Sequence, residues 1–174
     1  MRVRRPIRRS IVVLVGAVVA ASTALAASAG PAAPGAAGGL VHFYLVNTAL
    51  NPTTPNTVLV TGAFSDHGTG QGGTWHLTKG SIVIDASKLK AITNSANFGT
   101  FYPASCSFQG VASATVTLVS GTGAYAGITG RILATETVAA QGSLLKNGKC
   151  NEANNAPSVA EALIATGSGT VSFK

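Results

Sequence analysis

The sequence predicts an all-β protein, a closed antiparallel β-barrel of about eight strands behind an N-terminal signal peptide. Three observations carry that expectation. Short segments with apolar residues at every second position recur along the chain. No stretch of useful length after residue 29 repeats its apolar residues at helical spacing. Without a helical layer to cover a sheet, the apolar faces are buried by closing the sheet on itself or stacking two sheets.

The first element lies outside the barrel. Residues 1–10 (MRVRRPIRRS) hold five arginines and no acid, residues 11–20 (IVVLVGAVVA) are apolar, and small residues run on to Gly30. A basic region, an apolar region and an A-x-A site read as a secretory signal peptide over 1–29, cut after Ala26 or Ala29. Arg8-Arg9-Ser10-Ile11-Val12 partly fits a twin-arginine signal, which leaves the export route open. Residues 30–39 (GPAAPGAAGG) form a flexible leader with nothing to pack. One barrel domain then spans 40–174.

Removing the signal changes the charge argument. The whole chain carries +7, but residues 30–174 hold seven Lys or Arg against five Asp or Glu, scattered along the chain. That is too little for a nucleic-acid footprint. With the signal cleaved, no membrane partner is expected either. Cys106 and Cys150 are the only cysteines. In an exported chain they read as one disulfide, worth about 3–4 kcal/mol on the chain-entropy argument. They lack the paired C-x-x-C spacing of zinc sites.

The strands follow in order. Residues 40–46 (LVHFYLV) are the first and 57–64 (TVLVTGAF) the second, across a turn-rich connection. Residues 65–73 (SDHGTGQGG) read as a glycine-rich loop. Strands are expected at 74–78, at 81–85 and around Cys106 within 98–108. Residues 111–119 alternate most cleanly, with Ala112, Ala114, Val116 and Leu118 opposite Ser113, Thr115 and Thr117. Residues 128–138 repeat the pattern, placing Ile132, Ala134, Glu136 and Val138 on one face and Arg131 on the other. A polar loop covers 143–156. Strands at 159–165 and 170–173 close the chain, with a short helix from Glu161 as the alternative to the first of them.

The most patterned stretch is Ser120–Gly130, SGTGAYAGITG. Gly121, Gly123 and Ala126 match the letter of a dinucleotide-binding loop. Such a loop needs a helix after it to hold the phosphates. Here a β-branched run follows, a poor helix and a good strand. An exported protein also meets no nucleotide pool, so no cofactor is expected. The stretch reads instead as a tight connection between antiparallel strands, with Tyr125 turned inward as a plug. Gly121, Gly123, Gly127 and Gly130 would serve positive φ or close backbone approach.

Set between two Ser/Thr-alternating strands, this motif resembles the GTG-x-Y/F-x-G-x-x-G signature of the allene oxide cyclase and dirigent-like barrels. It is most similar to their small secreted actinobacterial members, in which GAFSDHGTG (62–70) and the Cys106 strand have similar places. The resemblance implies an eight-stranded antiparallel barrel with an apolar cavity, assembled as a trimer. For plant members it implies cyclisation or guided radical coupling of small hydrophobic molecules. No active residues of that group carry over to this chain.

Candidate chemistry is sparse. Glu136 faces inward by parity, and a carboxylate in an apolar lumen has a raised pKa and serves as acid or base. Asp66 and His67 together suit acid–base chemistry at a barrel rim, but strand neighbours point to opposite faces and Asp-His-Gly also suits a turn. His42, His67 and His76 lack ligand spacing, so no metal is expected. Phe43, Tyr44, Trp75 and Tyr102 are the candidate walls of a ligand cavity. Alanines 112, 114, 134, 160 and 162 would leave a lumen between those walls. Three functions fit: a secreted barrel holding a small apolar molecule in its lumen, a cyclase or dirigent-type enzyme, or a structural barrel packed solid.

Overall fold

The computed structural model describes residues 38–49, 54–95, 97–153 and 156–174; the segment read as a signal peptide and most of the expected leader lie outside them. The elements are β1 (Gly39–Asn47), β2 (Asn56–Gly62), β3 (Asp66–Gln71), β4 (Thr74–Leu77), β5 (Gly80–Asp85), a helix α1 (Ser87–Thr93), β6 (Thr100–Tyr102), β7 (Ser107–Gly121), β8 (Ile128–Gly142) and β9 (Ser158–Phe173). The sheet order is β5-β4-β3-β2-β1-β9-β8-β7-β6, and a further pairing of β5 with β7 closes it. The eight-stranded antiparallel barrel is therefore present, with β6 as an extra strand beside β7. The closing seam is short. It joins Ile82–Asp85 to Thr117–Gly121, with a bulge between Val83 and Ile84.

Four segments depart from the sequence expectation. Residues 65–73 are a strand, β3, where a loop was expected. Its glycines make room for a large neighbour. Gly70 lies opposite Trp75, and a Cβ there would come 2.9 Å from Val58 and 3.1 Å from the indole. Pairing with β2 on one side and β4 on the other outweighs glycine's weak strand propensity.

Residues 159–165 and 170–173 are one continuous strand, β9, and no helix starts at Glu161. The apparent break at Gly167 again marks packing, since a Cβ there would meet the Phe43 ring at 2.2 Å. Residues 98–108 divide into β6, a turn and the start of β7. Finally, α1 was not foreseen because it is only two turns long. Asp85 Oδ1 accepts the Ser87 N–H at 2.9 Å, and Leu89 is buried in the core.

Alternation holds where it was clearest. Ala112, Val116 and Leu118 on β7 and Ile132 and Ala134 on β8 are buried inside, while Ser113, Thr115 and Arg131 are exposed. The middle of the lumen is filled by side chains. The rings of Phe43 and Trp75 lie 5.1 Å apart, each at most 3% exposed, among Val60, Ile82 and Ile132. Burying one such ring contributes about 1.5–3 kcal/mol. Of the five alanines, Ala112, Ala114 and Ala134 face inward. Ala160 and Ala162 have the parity opposite to the inward Ala165, so they do not line the lumen.

Cys106 and Cys150 form the expected disulfide, with S–S 2.01 Å and Cα–Cα 5.1 Å. It pins residues 143–153 to the start of β7. The Gln141 side-chain amide reinforces this by donating to the carbonyls of Ser105 and Cys106, at 2.7 and 3.1 Å.

Candidate functional site

The barrel has two ends of different character. The first gathers the starts of β1, β5 and β8 and the finishes of β7 and β9. There the Gly123–Tyr125 turn folds back and carries the Tyr125 side chain into the core, 2% exposed. Gly123 has φ +60°, and a Cβ on it would sit 2.4 Å from the Lys79 carbonyl, so only glycine fits. Gly121 is equally confined, since its Cβ would fall 2.2 Å from the Tyr125 carbonyl. The chain continues into strand β8, which removes the helix a dinucleotide site requires.

The Tyr125 ring packs against Phe64 at 4.9 Å, and Phe64 against Phe173 at 6.3 Å. Its hydroxyl donates to Asp66 Oδ2 at 2.5 Å. Asp66 also accepts the backbone N–H groups of His67 (2.7 Å), Thr78 (3.3 Å) and Lys79 (3.0 Å), and the Thr78 hydroxyl. Burial alone would push this carboxyl up, but the hydrogen bonds from Thr78, Tyr125, His67 and Lys79 hold it well below the usual carboxylate range. Burial, then the hydrogen bond and charge of Asp66, push the Tyr125 hydroxyl far up. A carboxylate so thoroughly satisfied is a clamp, joining β3, the β4–β5 turn and the Gly123–Tyr125 turn. His67 points the other way and is exposed. The two neighbours thus do not converge on one reacting atom.

The second end gathers the finishes of β1, β5 and β8 and the starts of β2, β7 and β9. Glu136 lies here, in register with Ala112 on β7 and Ala165 on β9, both buried inside. Its inward-facing neighbours Leu45, Val138 and Leu163 keep partial exposure, whereas Val41, Leu118, Ile128 and Val171 towards the Tyr125 end are buried. Glu136 itself is half-buried. Among the described residues its carboxylate has no hydrogen-bond or ion-pair partner, and burial pushes its pKa up.

The structure divides the other candidates. Phe43 and Trp75 are inside the barrel, whereas Tyr44 (46% exposed) and Tyr102 (48%) lie outside it. His42, His67 and His76 all have exposed positions on separate strands, and no three metal-binding side chains cluster among the described residues. Two open depressions mark the outer surface. One of about 710 Å³ lies beside the disulfide, lined by Pro103, Leu144, Leu145, Lys149 and Asn151. The other, about 400 Å³, runs over β9 between Tyr44 and Leu133. Glu136 lines neither of them.

Sequence reasoning missed the partnership of Asp66 with Tyr125, 59 residues apart, and the role of Thr78. It also missed Leu45 and Ala165 as neighbours of Glu136. Parity alone signals an inward face; which strands meet across the barrel has no local signature. No protein-family model matches this chain, and neither a curated protein nor a solved structure does.

Proposed function

We propose that the protein is a secreted barrel that holds one small apolar molecule at its Glu136 end, with Glu136 orienting the guest. The observation that carries this reading is the unpartnered, inward-facing carboxylate between Ala112 and Ala165. A barrel that needed only to be stable would place an apolar residue there, as it does at Ile132 and Ala134 on the same face. The guest belongs at this end and not in the middle, where Phe43 and Trp75 already fill the space. Export is supported by the N-terminal pattern and by the disulfide, which persists in oxidising compartments.

Titration with the neutral fluorophore prodan tests the reading. Saturable binding at one site per chain is expected, weakened by Ala114→Phe, which projects into the lumen from a partly exposed inward position. A folded protein that binds no prodan would leave the barrel as a packed structural module. Conversion of a small hydrophobic substrate, lost in Glu136→Gln, would instead favour a cyclase or dirigent-type enzyme. Self-association belongs to the same proposal, because Tyr44 on β1, Leu59 on β2 and Leu133 on β8 expose apolar surface on one side of the barrel, across β9. Native mass spectrometry counts the subunits.

A further inference from the structure

The Glu136 end also points to the chemistry of its guest. Resting on the reading above, we infer that the molecule held there is an amphiphilic amine, its ammonium group paired with the Glu136 carboxylate and its apolar part against Leu45, Val138 and Leu163.

Three observations combine. First, the immediate surroundings of Glu136 are apolar, and the polar inward positions lie further out, at Glu161 and at Asn47 and Asn56, which hydrogen-bond to each other. The residues in register with Glu136 are Ala112 and Ala165, followed across β1 and β2 by Leu45 and Val58. Second, nothing among the described residues complements the charge. The inward-facing positions of β1, β2, β7, β8 and β9 at this end contain no Lys or Arg. The bases of the adjoining helix, Lys88 and Lys90, are exposed. The other acid on this face is Glu161, in register with Ala140 further out, and it adds to the negative potential. Third, the carboxylate is reachable. Every buried side-chain polar atom among the described residues has a partner, so the unpartnered oxygens of Glu136 keep contact with the surface.

A partly desolvated carboxylate without a donor is costly, and a charged donor satisfies it better than a neutral one. A ligand carboxylate would meet like charge, and a hydroxyl would supply only a neutral hydrogen bond. An ammonium group on an apolar body supplies both halves of the complement. The contrast with Asp66 sharpens the point. That buried acid receives five hydrogen bonds from its own chain, whereas Glu136 receives none from the described residues.

Displacement of prodan by octylamine, octanol and octanoate tests the inference on the mature, disulfide-bonded protein. Octylamine should displace prodan at a concentration about tenfold lower than octanol, the usual advantage of a charge-assisted over a neutral hydrogen bond. Octanoate should be the weakest of the three. Glu136→Gln should abolish the amine advantage while leaving octanol unchanged, and Glu161→Gln should preserve most of it. Equal displacement by amine and alcohol in the unmutated protein overturns the inference, as does octanoate ranking first. An amine advantage that survives Glu136→Gln, or that vanishes with Glu161→Gln instead, also overturns it. If Glu136→Gln does not fold, the wild-type ranking and the Glu161→Gln result still decide. Failure of prodan itself to bind overturns the binding reading beneath, a result distinguishable from equal displacement by all three competitors.

Discussion

Asp66 and Glu136 are both inward-pointing carboxylates in one barrel, at opposite ends, and they behave in opposite ways. Asp66 is 6% exposed and saturated with donors, so its charge is stabilised and its end of the barrel is locked. Glu136 is less buried but has no partner among the described residues, and burial penalises its charge. Burial alone therefore does not set the behaviour of an acid; the supply of donors does. At the Tyr125 end the donors are two hydroxyls, of Tyr125 and Thr78, and three backbone N–H groups that the fold brings together. At the Glu136 end the neighbouring positions are alanines and aliphatics, which donate nothing.

The difference can be broken most severely at Tyr125. Tyr125→Ala should cost about 4 kcal/mol, from the lost ring packing against Phe64 and the lost donor to Asp66. Urea unfolding measures it, and a loss near zero would mean that the plug does not close its end. Gly123→Val should act in the same direction through backbone strain at φ +60°.

Asp66→Asn should cost about 3 kcal/mol at neutral pH, because an amide cannot accept from every donor around it. The pH dependence has a definite sign. The folded state holds the Asp66 proton less tightly than the unfolded chain, so this contribution is complete above the ordinary value of 3.8 and is lost as pH falls. The gap between wild type and Asp66→Asn should thus narrow in acid. A gap independent of pH would separate the clamp from its charge.

Replacing both Cys106 and Cys150 by Ser should cost about 3 kcal/mol, with the Tyr125 end keeping its slow amide exchange while residues 143–153 lose protection. Loss of protection at both ends together would show that the two ends unfold as one unit.

The smallest effect has the opposite sign. Glu136→Gln should stabilise the folded state at neutral pH, by less than about 1 kcal/mol. Here the folded state holds the proton more tightly than the unfolded chain. The favourable contribution of Glu136 is complete below its unfolded pKa and is lost as pH rises through the raised folded value. The mutant's advantage should therefore grow from acid to neutral pH. A thermal melt in which Glu136→Gln is the less stable protein at pH 7 would show that the carboxylate has a stabilising partner after all.

Much of this molecule was determined by local pattern. Period-two alternation over 111–119 and 128–138 specified which side chains face inward, Glu136 included, because a strand presents successive residues to opposite faces whatever its neighbours are. The β-branched run after the glycine motif specified a strand, and the small-residue turn before it turned Tyr125 inward. The cysteines could pair only with each other. Tertiary structure decided the rest. Gly70 and Gly167 read as breaks, yet they lie within strands because Trp75 and Phe43 occupy the space a side chain would need. The contact of Gly167 with Phe43 joins residues far apart in the chain, and that of Gly70 with Trp75 forms only once β3 and β4 pair in register. The register that ties Asp66 to Tyr125, and that leaves Glu136 between Ala112 and Ala165, arises only when strands meet across the barrel. Hydrogen-bond partners chosen by barrel closure leave no trace in the residues beside them, and so two acids of the same charge became a clamp at one end and an open site at the other.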